Sequence, residues 1–325
     1  MVYEKKQNIR ELRVGDIVND IFAVRSKTRV EPYQNGFKFE LDIVDNTGKI
    51  MLKYWGGTDE NKIKQIYDLI NEDEIILING SVGEYPKGSG RKEIAIDEKK
   101  GHTIKVCSNE EYTLNDFIKT AENIDEMFEE LTNIINSIQD EHLKSVLNSF
   151  LEDKNFVEEF KKSPGAMYKH HAWIGGLLEH TLNVTKICDN IQKIHTELNR
   201  DLLLTGAILH DIGKMKELKV TTNIKYSNDG KLKGHLMIGL ELLLEKFNGS
   251  EIPEEYKLKL IHMLLSNHGK LEFGSPVTPS FPEALVIYYA DELDSKTKMM
   301  ITAKKEAQTE EDYIYTKDFG DIYLK

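Results

Sequence analysis

Ten histidines occur in the chain, and all but His102 fall between His142 and His268. Several of them extend an apolar helical stripe instead of lying opposite one. His180 follows Leu177 by three residues, His210 follows Ala207 by three, and His268 follows Leu265 by three. His235 precedes Ile238 by three, and Asp291 follows Ile287 by four. Residues three or four apart share a helix face, so these side chains are expected to point inward. One inward histidine is ordinarily a core residue bonded to a backbone carbonyl. Four of them together with Asp211 and Asp291 are harder to explain that way, because unpaired buried carboxylates are costly. A divalent ion bound among them removes that cost. Imidazole with carboxylate suits Mn, Fe, Co, Ni or Zn better than Ca. The neighbours His210 and Asp211 diverge by about 100° on a helix, so other helices must complete the shell. A shared carboxylate can also bridge two ions, and two ions about 3.5–4 Å apart clamp the attacking and leaving oxygens of a phosphoryl transfer.

The elements that must position these residues read as follows. From Thr113 onward, apolar residues recur at period 3.6, and Thr113-Leu114-Asn115-Asp116 resembles a helix start. Helical stretches are predicted at about 140–161, 173–195, 200–213, 234–247, 254–267 and 281–305. The preceding segment is different. Phe37 to Val44 alternates apolar and polar, as a half-buried strand does, and Asp45-Asn46-Thr47-Gly48 marks a turn into a returning strand, Lys49 to Trp55. With strands at 16–24, 74–82 and 92–96 and a helix at 61–69, the order is that of an OB-fold, a small barrel that often binds oligonucleotides. The expected architecture is two-domain, a small β-barrel (OB-fold) followed by an all-α helical bundle. The predicted boundaries are a barrel at 1–107, a helical connector at 108–165, the histidine-bearing domain at 166–305 and an aromatic tail at 306–325.

The formal charge of -12 argues, taken whole, against a nucleic-acid partner, because phosphate binding is driven by Lys and Arg. Its distribution reverses that argument. Residues 1–107 hold 18 basic and 18 acidic residues, and the remainder holds 25 basic and 37 acidic. The predicted barrel is therefore neutral with local basic clusters, and the acidity belongs to the helical part. Two cysteines exclude a disulfide scaffold and a Cys-based zinc site. The first residues lack the apolar core of a signal peptide. No apolar run approaches the roughly 18 residues of a membrane span. A cytoplasmic protein without a membrane partner is expected.

The string Leu209-His210-Asp211-Ile212-Gly213-Lys214 resembles the signature of the HD-domain metal-dependent phosphohydrolases. The ordered set His180, His210-Asp211, His235, His268, Asp291 is similar to that family's extended, binuclear pattern. The strings from His170 to Thr181, from Asn199 to Leu204, His268-Gly269 and Glu272 to Pro276 resemble the YhaM-type 3′→5′ exoribonucleases, which pair an N-terminal OB-fold with an HD domain. The resemblance covers nearly the whole chain. It implies that His180, His210, Asp211 and Asp291 hold a first metal. His235 and His268 would add a second, with Asp211 bridging. Lys214 would stand beside the reacting phosphate. One departure is Ser266-Asn267-His268, where relatives carry a His-His pair. This leaves Asn267 or His262 as further candidates for the second metal.

The resemblance implies a metal-dependent 3′→5′ exoribonuclease acting on single-stranded RNA, with single-stranded DNA also open. The cofactor would be two divalent ions, manganese first and Fe, Co, Ni, Mg or Zn as alternatives. Asp211, Lys214 and His171 are the candidate catalytic residues, His171 as a phosphate contact. For the strand, Arg25, Lys27, Arg29, Lys38, Lys53, Arg91 and Lys92 supply charge, and Tyr33 and Trp55 supply stacking rings. Phe39 is expected in the barrel core. Two other readings stay open: an HD phosphohydrolase acting on mononucleotides or cyclic nucleotides with a regulatory barrel, and a single-strand-binding protein with a structural metal. A homo-oligomer is compatible with the sequence.

Overall fold

Alternating side chains in the first hundred residues require a sheet with one buried face, and a barrel is a way to bury that face without leaving open edges. The computed structural model describes residues 3–108, 112–113, 116–168, 170–307 and 309–325. The chain divides into two units, 1–119 with 221–223, and 120–220 with 224–325.

The first unit contains β1 (Ile17–Lys27), β2 (Glu31–Tyr33), β3 (Gly36–Asp45), β4 (Gly48–Trp55), α1 (Glu60–Leu69), β5 (Ile75–Glu84), β6 (Lys92–Asp97) and β7 (Thr103–Val106). The strands run in the order β1-β3-β4-β6-β5, and β5 pairs back with β1. β4 and β6 are parallel, and the other neighbours are antiparallel. This is a closed five-stranded OB-type barrel. The short β2 and β7, which the sequence pattern does not announce, pair with β3 and β5.

Register follows the alternation. Phe39, Leu41 and Ile43 of β3 lie opposite Tyr54, Leu52 and Ile50 of β4, and all six are buried. Phe39 and Tyr54 stack at 4.7 Å, so Phe39 is core as expected. Asp59 caps α1 by accepting from the Lys62 N–H, and α1 places Ile63, fully buried, in the barrel core.

The second unit contains α2 (Ile124–Asn136), α3 (Glu141–Leu151), α4 (Lys154–Lys162), α5 (Gly176–Ile194), α6 (Arg200–Leu209), α7 (Lys214–Glu217), β8 (Leu218–Val220), β9 (Ile224–Tyr226), α8 (Asn228–Phe247), α9 (Glu254–Leu265), α10 (Pro282–Glu306), β10 (Tyr313–Thr316) and β11 (Gly320–Tyr323). The helices share one apolar core, to which α6 contributes with eight of its ten residues buried and α5 with nine of its nineteen.

Several boundaries differ from the periodicity. The stretch at 140–161 is two helices, because Asp153 caps a new one by accepting from the N–H groups of Asn155 and Phe156. The stretch at 200–213 stops at Leu209, and His210 to Gly213 are turns. α8 begins earlier than predicted and is interrupted at Gly234, whose backbone is non-helical (φ 71°, ψ 159°). The tail forms a hairpin, with Tyr313 opposite Tyr323. Leu114 and Asn115 of the predicted helix start lie outside the described residues, and the first regular helix thereafter is α2. Among the described residues no helix is long and apolar enough to cross a membrane.

Truncating a fully buried Ile side chain costs about 2–5 kcal/mol. Ile63→Ala should therefore lower the urea midpoint of the protein without changing the manganese affinity of the helical unit. An unchanged midpoint would mean that α1 does not contribute to the barrel core.

Candidate metal centre

The start of α5's second turn, the two residues that follow α6 and the middle of α10 converge on one point. His180 Nε2 lies 3.2 Å from His210 Nε2, 3.4 Å from Asp211 Oδ2 and 3.1 Å from Asp291 Oδ1. His210 Nε2 is 3.4 Å from Asp211 Oδ2. His180, His210 and Asp211 are essentially inaccessible to solvent. One ligand atom from each of the four residues lies within 4.8 Å of all the others.

The hydrogen bonds behind the rings fix their tautomers. A carbonyl oxygen only accepts, so His210 Nδ1 donates to Ala207 O at 2.6 Å and its Nε2 carries a lone pair. His180 Nδ1 faces Asp294 Oδ2 at 2.7 Å, which leaves its Nε2 free in the same way. Two imidazole lone pairs and two carboxylates therefore face one another. That arrangement is repulsive unless a cation lies between them; with no metal bound, Asp211, Asp291 and Asp294 raise the His180 pKa despite its burial, so that a proton takes the cation's place. Ligands bonded to one ion at about 2.0–2.2 Å are separated by about 3.0–3.5 Å, which the observed spacings match. The donor set fits a divalent metal, and Asp211 Oδ2, buried and facing the ring nitrogens of His180 and His210 as well as the Lys214 ammonium, has the role of ligand open to it.

A second pair of rings repeats the logic. His235 Nε2 and His268 Nε2 are 3.0 Å apart. His268 Nδ1 donates to Phe273 O at 3.0 Å, and His235 Nδ1 faces Glu217 Oε1 at 3.0 Å. Both Nε2 atoms thus present lone pairs. Asp211 Oδ1 lies 3.7 Å from His235 Nε2, so the two oxygens of this carboxylate face different histidine pairs. Asn267 Nδ2 is 3.5 Å from the same Oδ1, whereas His262 accepts from the Ser280 N–H and packs against Phe281, away from the cluster. The structure thus places Asn267, and not His262, beside the second pair.

Lys214 Nζ is 2.5 Å from Asp211 Oδ2. Burial would lower the pKa of this ammonium, but Asp211 and Asp291 more than offset it, and the group stays charged. Burial would likewise raise the Asp211 carboxyl, and Lys214 and His210 instead hold it well below the usual carboxylate range.

The placement of His171 differs from its expected role as a phosphate contact. Its side chain is 0% exposed, its Nε2 lies 2.8 Å from Asp294 Oδ2, and its Nδ1 lies 3.4 Å from Glu179 Oε2. It therefore stands behind His180 and braces Asp294. Asp294 also accepts from Asn183 Nδ2 at 3.0 Å. Burial would raise the Asp294 carboxyl, but His171 and His180 hold it well below its ordinary range. The spacing analysis missed Asp294, although it lies three residues after Asp291 and so near the same face of α10. It also missed Glu217, which accepts from both the backbone N–H and the ring of His235.

The barrel residues expected to hold a strand divide into two groups. Lys27 donates to the carbonyls of Tyr67 and Ile70, and Lys92 donates to Leu12 O. These two ammonium groups already satisfy backbone carbonyls of the barrel itself. Lys53 pairs with Glu93 at 2.7 Å and lies over the Tyr85 ring. Tyr33 and Trp55 pack edge to face at 5.0 Å, and Lys38 lies 5.7 Å from the Trp55 ring centre. Lys38 and Trp55 are register partners on the outer face of β3 and β4. Arg29 is largely exposed near Glu31, Arg91 is exposed, and Arg25 is half-buried.

Second-layer partners of metal-binding histidines typically change metal affinity 10–100-fold. Asp294→Asn should weaken manganese binding by about that factor in a calorimetric titration, and wild-type affinity would remove the bracing role of Asp294. Gly213 sits where α7 meets α8, and a Cβ there would lie 1.9 Å from His235 O. Gly213→Ala should therefore cost about 1–3 kcal/mol in thermal unfolding, and a neutral result would show that the two helices have room to separate.

An HD domain is matched at residues 177–296. The chain is 31% identical over 303 residues to the 3'-5' exoribonuclease YhaM of Shouchella clausii (strain KSM-K16), covering 93% of this chain and 91% of that one. It is 32% identical to the protein of that name from Bacillus velezensis, covering 88% and 87% of the two chains. The corresponding figures for Bacillus subtilis (strain 168) are 30%, 88% and 87%. With the barrel, the helical unit and the histidine–aspartate cluster all within the matched length, the chain belongs to the family of the YhaM 3'-5' exoribonucleases.

Proposed function

We propose that this protein is a metal-dependent 3′→5′ exoribonuclease that hydrolyses the terminal phosphodiester of single-stranded RNA. The carrying observation is the pair of facing imidazole couples on either side of Asp211, in a chain whose relatives carry that activity in their names. In this reading His180, His210, Asp211 and Asp291 hold one divalent ion. His235 and His268 hold a second, with Asp211 shared. Manganese heads the candidates, ahead of Fe, Co, Ni, Mg and Zn, because the donors mix imidazole and carboxylate. Bound there, the ions would supply an activated water and neutralise charge on the phosphoryl oxygens.

The protein's own groups do the rest. Asp294 and Glu217 hold the rings of His180 and His235 so that their Nε2 atoms face inward. Lys214 keeps its charge and stabilises the oxygens of the phosphate under attack. Residues 1–107 form the strand-holding module, in which Tyr33, Trp55 and Lys38 offer rings and charge to successive bases. Residues 166–305 form the hydrolytic domain, with 108–165 as connector and 306–325 as tail. Base stacking tolerates any sequence and extends the substrate class to single-stranded DNA.

A 5′-labelled RNA oligomer with manganese should give a ladder shortening stepwise, while a 3′-labelled one should release labelled mononucleotide at once. Asp211→Ala should reduce the rate by about 10³-fold or more. Normal shortening by this variant would sink the assignment. So would inert RNA accompanied by hydrolysis of a mononucleotide or cyclic nucleotide.

A further inference from the structure

The turn that joins α4 to α5 carries two consecutive histidines with opposite fates. The His171 backbone adopts a left-handed φ of 53°, an uncommon conformation for a residue with a Cβ. The turn is tightly fixed. His171 O accepts from the N–H groups of Gly165 and Trp173, and a Cβ at Gly176 would lie 2.0 Å from that oxygen. Trp173 Nε1 donates to Glu179 Oε2 at 2.9 Å, and Lys298 pairs with Glu179 at 2.5 Å. His171 is thus committed to Asp294. The twist sends His170 elsewhere, with its ring 83° to that of His171.

Both Nδ1 atoms of the pair are buried without a hydrogen-bond partner, but whereas His171 Nε2 holds Asp294, no partner is found for either His170 ring nitrogen among the described residues. Buried polar atoms ordinarily find a partner, so a ring with neither nitrogen bonded, held in a fixed turn beside the cluster, calls for a ligand. The ring centre is 6.2 Å from that of His180. Burial, then the charges of Lys214, His180 and His171, bring its pKa down to about 4 against the opposing pull of Asp291. These are the groups around the first metal cluster.

We infer that His170 is a substrate-contacting residue, hydrogen-bonding through its imidazole to an oxygen of the phosphate under attack, in the role that spacing alone assigns to His171. The inference rests on the proposed phosphodiester hydrolysis and adds to it a contact that complements the charge of Lys214.

The test compares His170→Ala and His170→Gln with the wild type on 3′-labelled RNA and, separately, for binding of AMP to the manganese-loaded protein. Loss of the contact should lower kcat/KM by about 100-fold and weaken AMP about tenfold in the alanine variant. Manganese affinity and melting temperature should stay at wild-type values, and glutamine, which keeps an N–H, should recover part of the loss. Unchanged kcat/KM and AMP affinity would overturn the inference. A fall in manganese affinity that parallels the fall in activity would also overturn it, because His170 would then support the metal. If the wild type leaves RNA intact, the exoribonuclease reading fails, and the AMP comparison still decides whether His170 contacts phosphate.

Discussion

The second unit is organised around one carboxylate. Asp211 turns one oxygen toward His180 and His210 and the other toward His235. Each histidine pair presents ring nitrogens that cannot hydrogen-bond to each other once their outer nitrogens have donated elsewhere. Without a cation such a centre is a concentration of mutually repelling lone pairs and negative charge. With one, the same atoms become a coordination shell. The helices α5, α6, α8, α9 and α10 have to meet closely enough for this to work, and that requirement accounts for a position such as Gly213, where the backbone of one helix touches that of the next.

Burying so many polar groups is tolerable only if each has a partner. Asp294 accepts from His171, His180 and Asn183, Glu217 accepts twice from His235, and the carbonyls of Ala207 and Phe273 hold the remaining rings. These bonds do two things at once. They satisfy most of the buried groups, and they select the tautomer in which Nε2 of His180, His210, His235 and His268 faces the centre. Preorganisation of this kind matters for catalysis because nothing needs to reorient when charge develops on the phosphate.

The net charge of -12 takes on a different meaning beside this geometry. Part of the helical unit's acidity consists of carboxylates turned inward to a cation site or to histidines. It does not form a surface that would repel a nucleic acid. The barrel's outer face, where Lys38 meets Trp55 across β3 and β4, presents a small mixed patch of rings and ammonium groups. A confined basic path of this sort relies on stacking more than on broad phosphate attraction.

The barrel was legible in the sequence because its strands obey a local rule: period-2 alternation places Phe39, Leu41 and Ile43 inside whatever the partner strand is. Most of the inward His and Asp residues were legible for the same reason, lying three or four residues from apolar neighbours, with His180, His235 and Asp291 inside helices and His210, Asp211 and His268 in the turns that follow them. What tertiary structure alone decided is everything that depends on a distant partner or on a single backbone angle. Asp294 and Glu217 look like ordinary solvent-facing carboxylates until the folded chain brings His180 and His235 against them. Lys27 and Lys92 look like free cations until carbonyls more than forty residues away in sequence claim Lys27 through Ile70 and Lys92 through Leu12. His170 and His171 are indistinguishable by type and spacing. The left-handed turn at His171 gives one of them a carboxylate and leaves the other's nitrogen unpaired beside the metal cluster. Local periodicity encodes which face a side chain occupies, while long-range hydrogen bonds and one strained φ determine what that side chain is able to do.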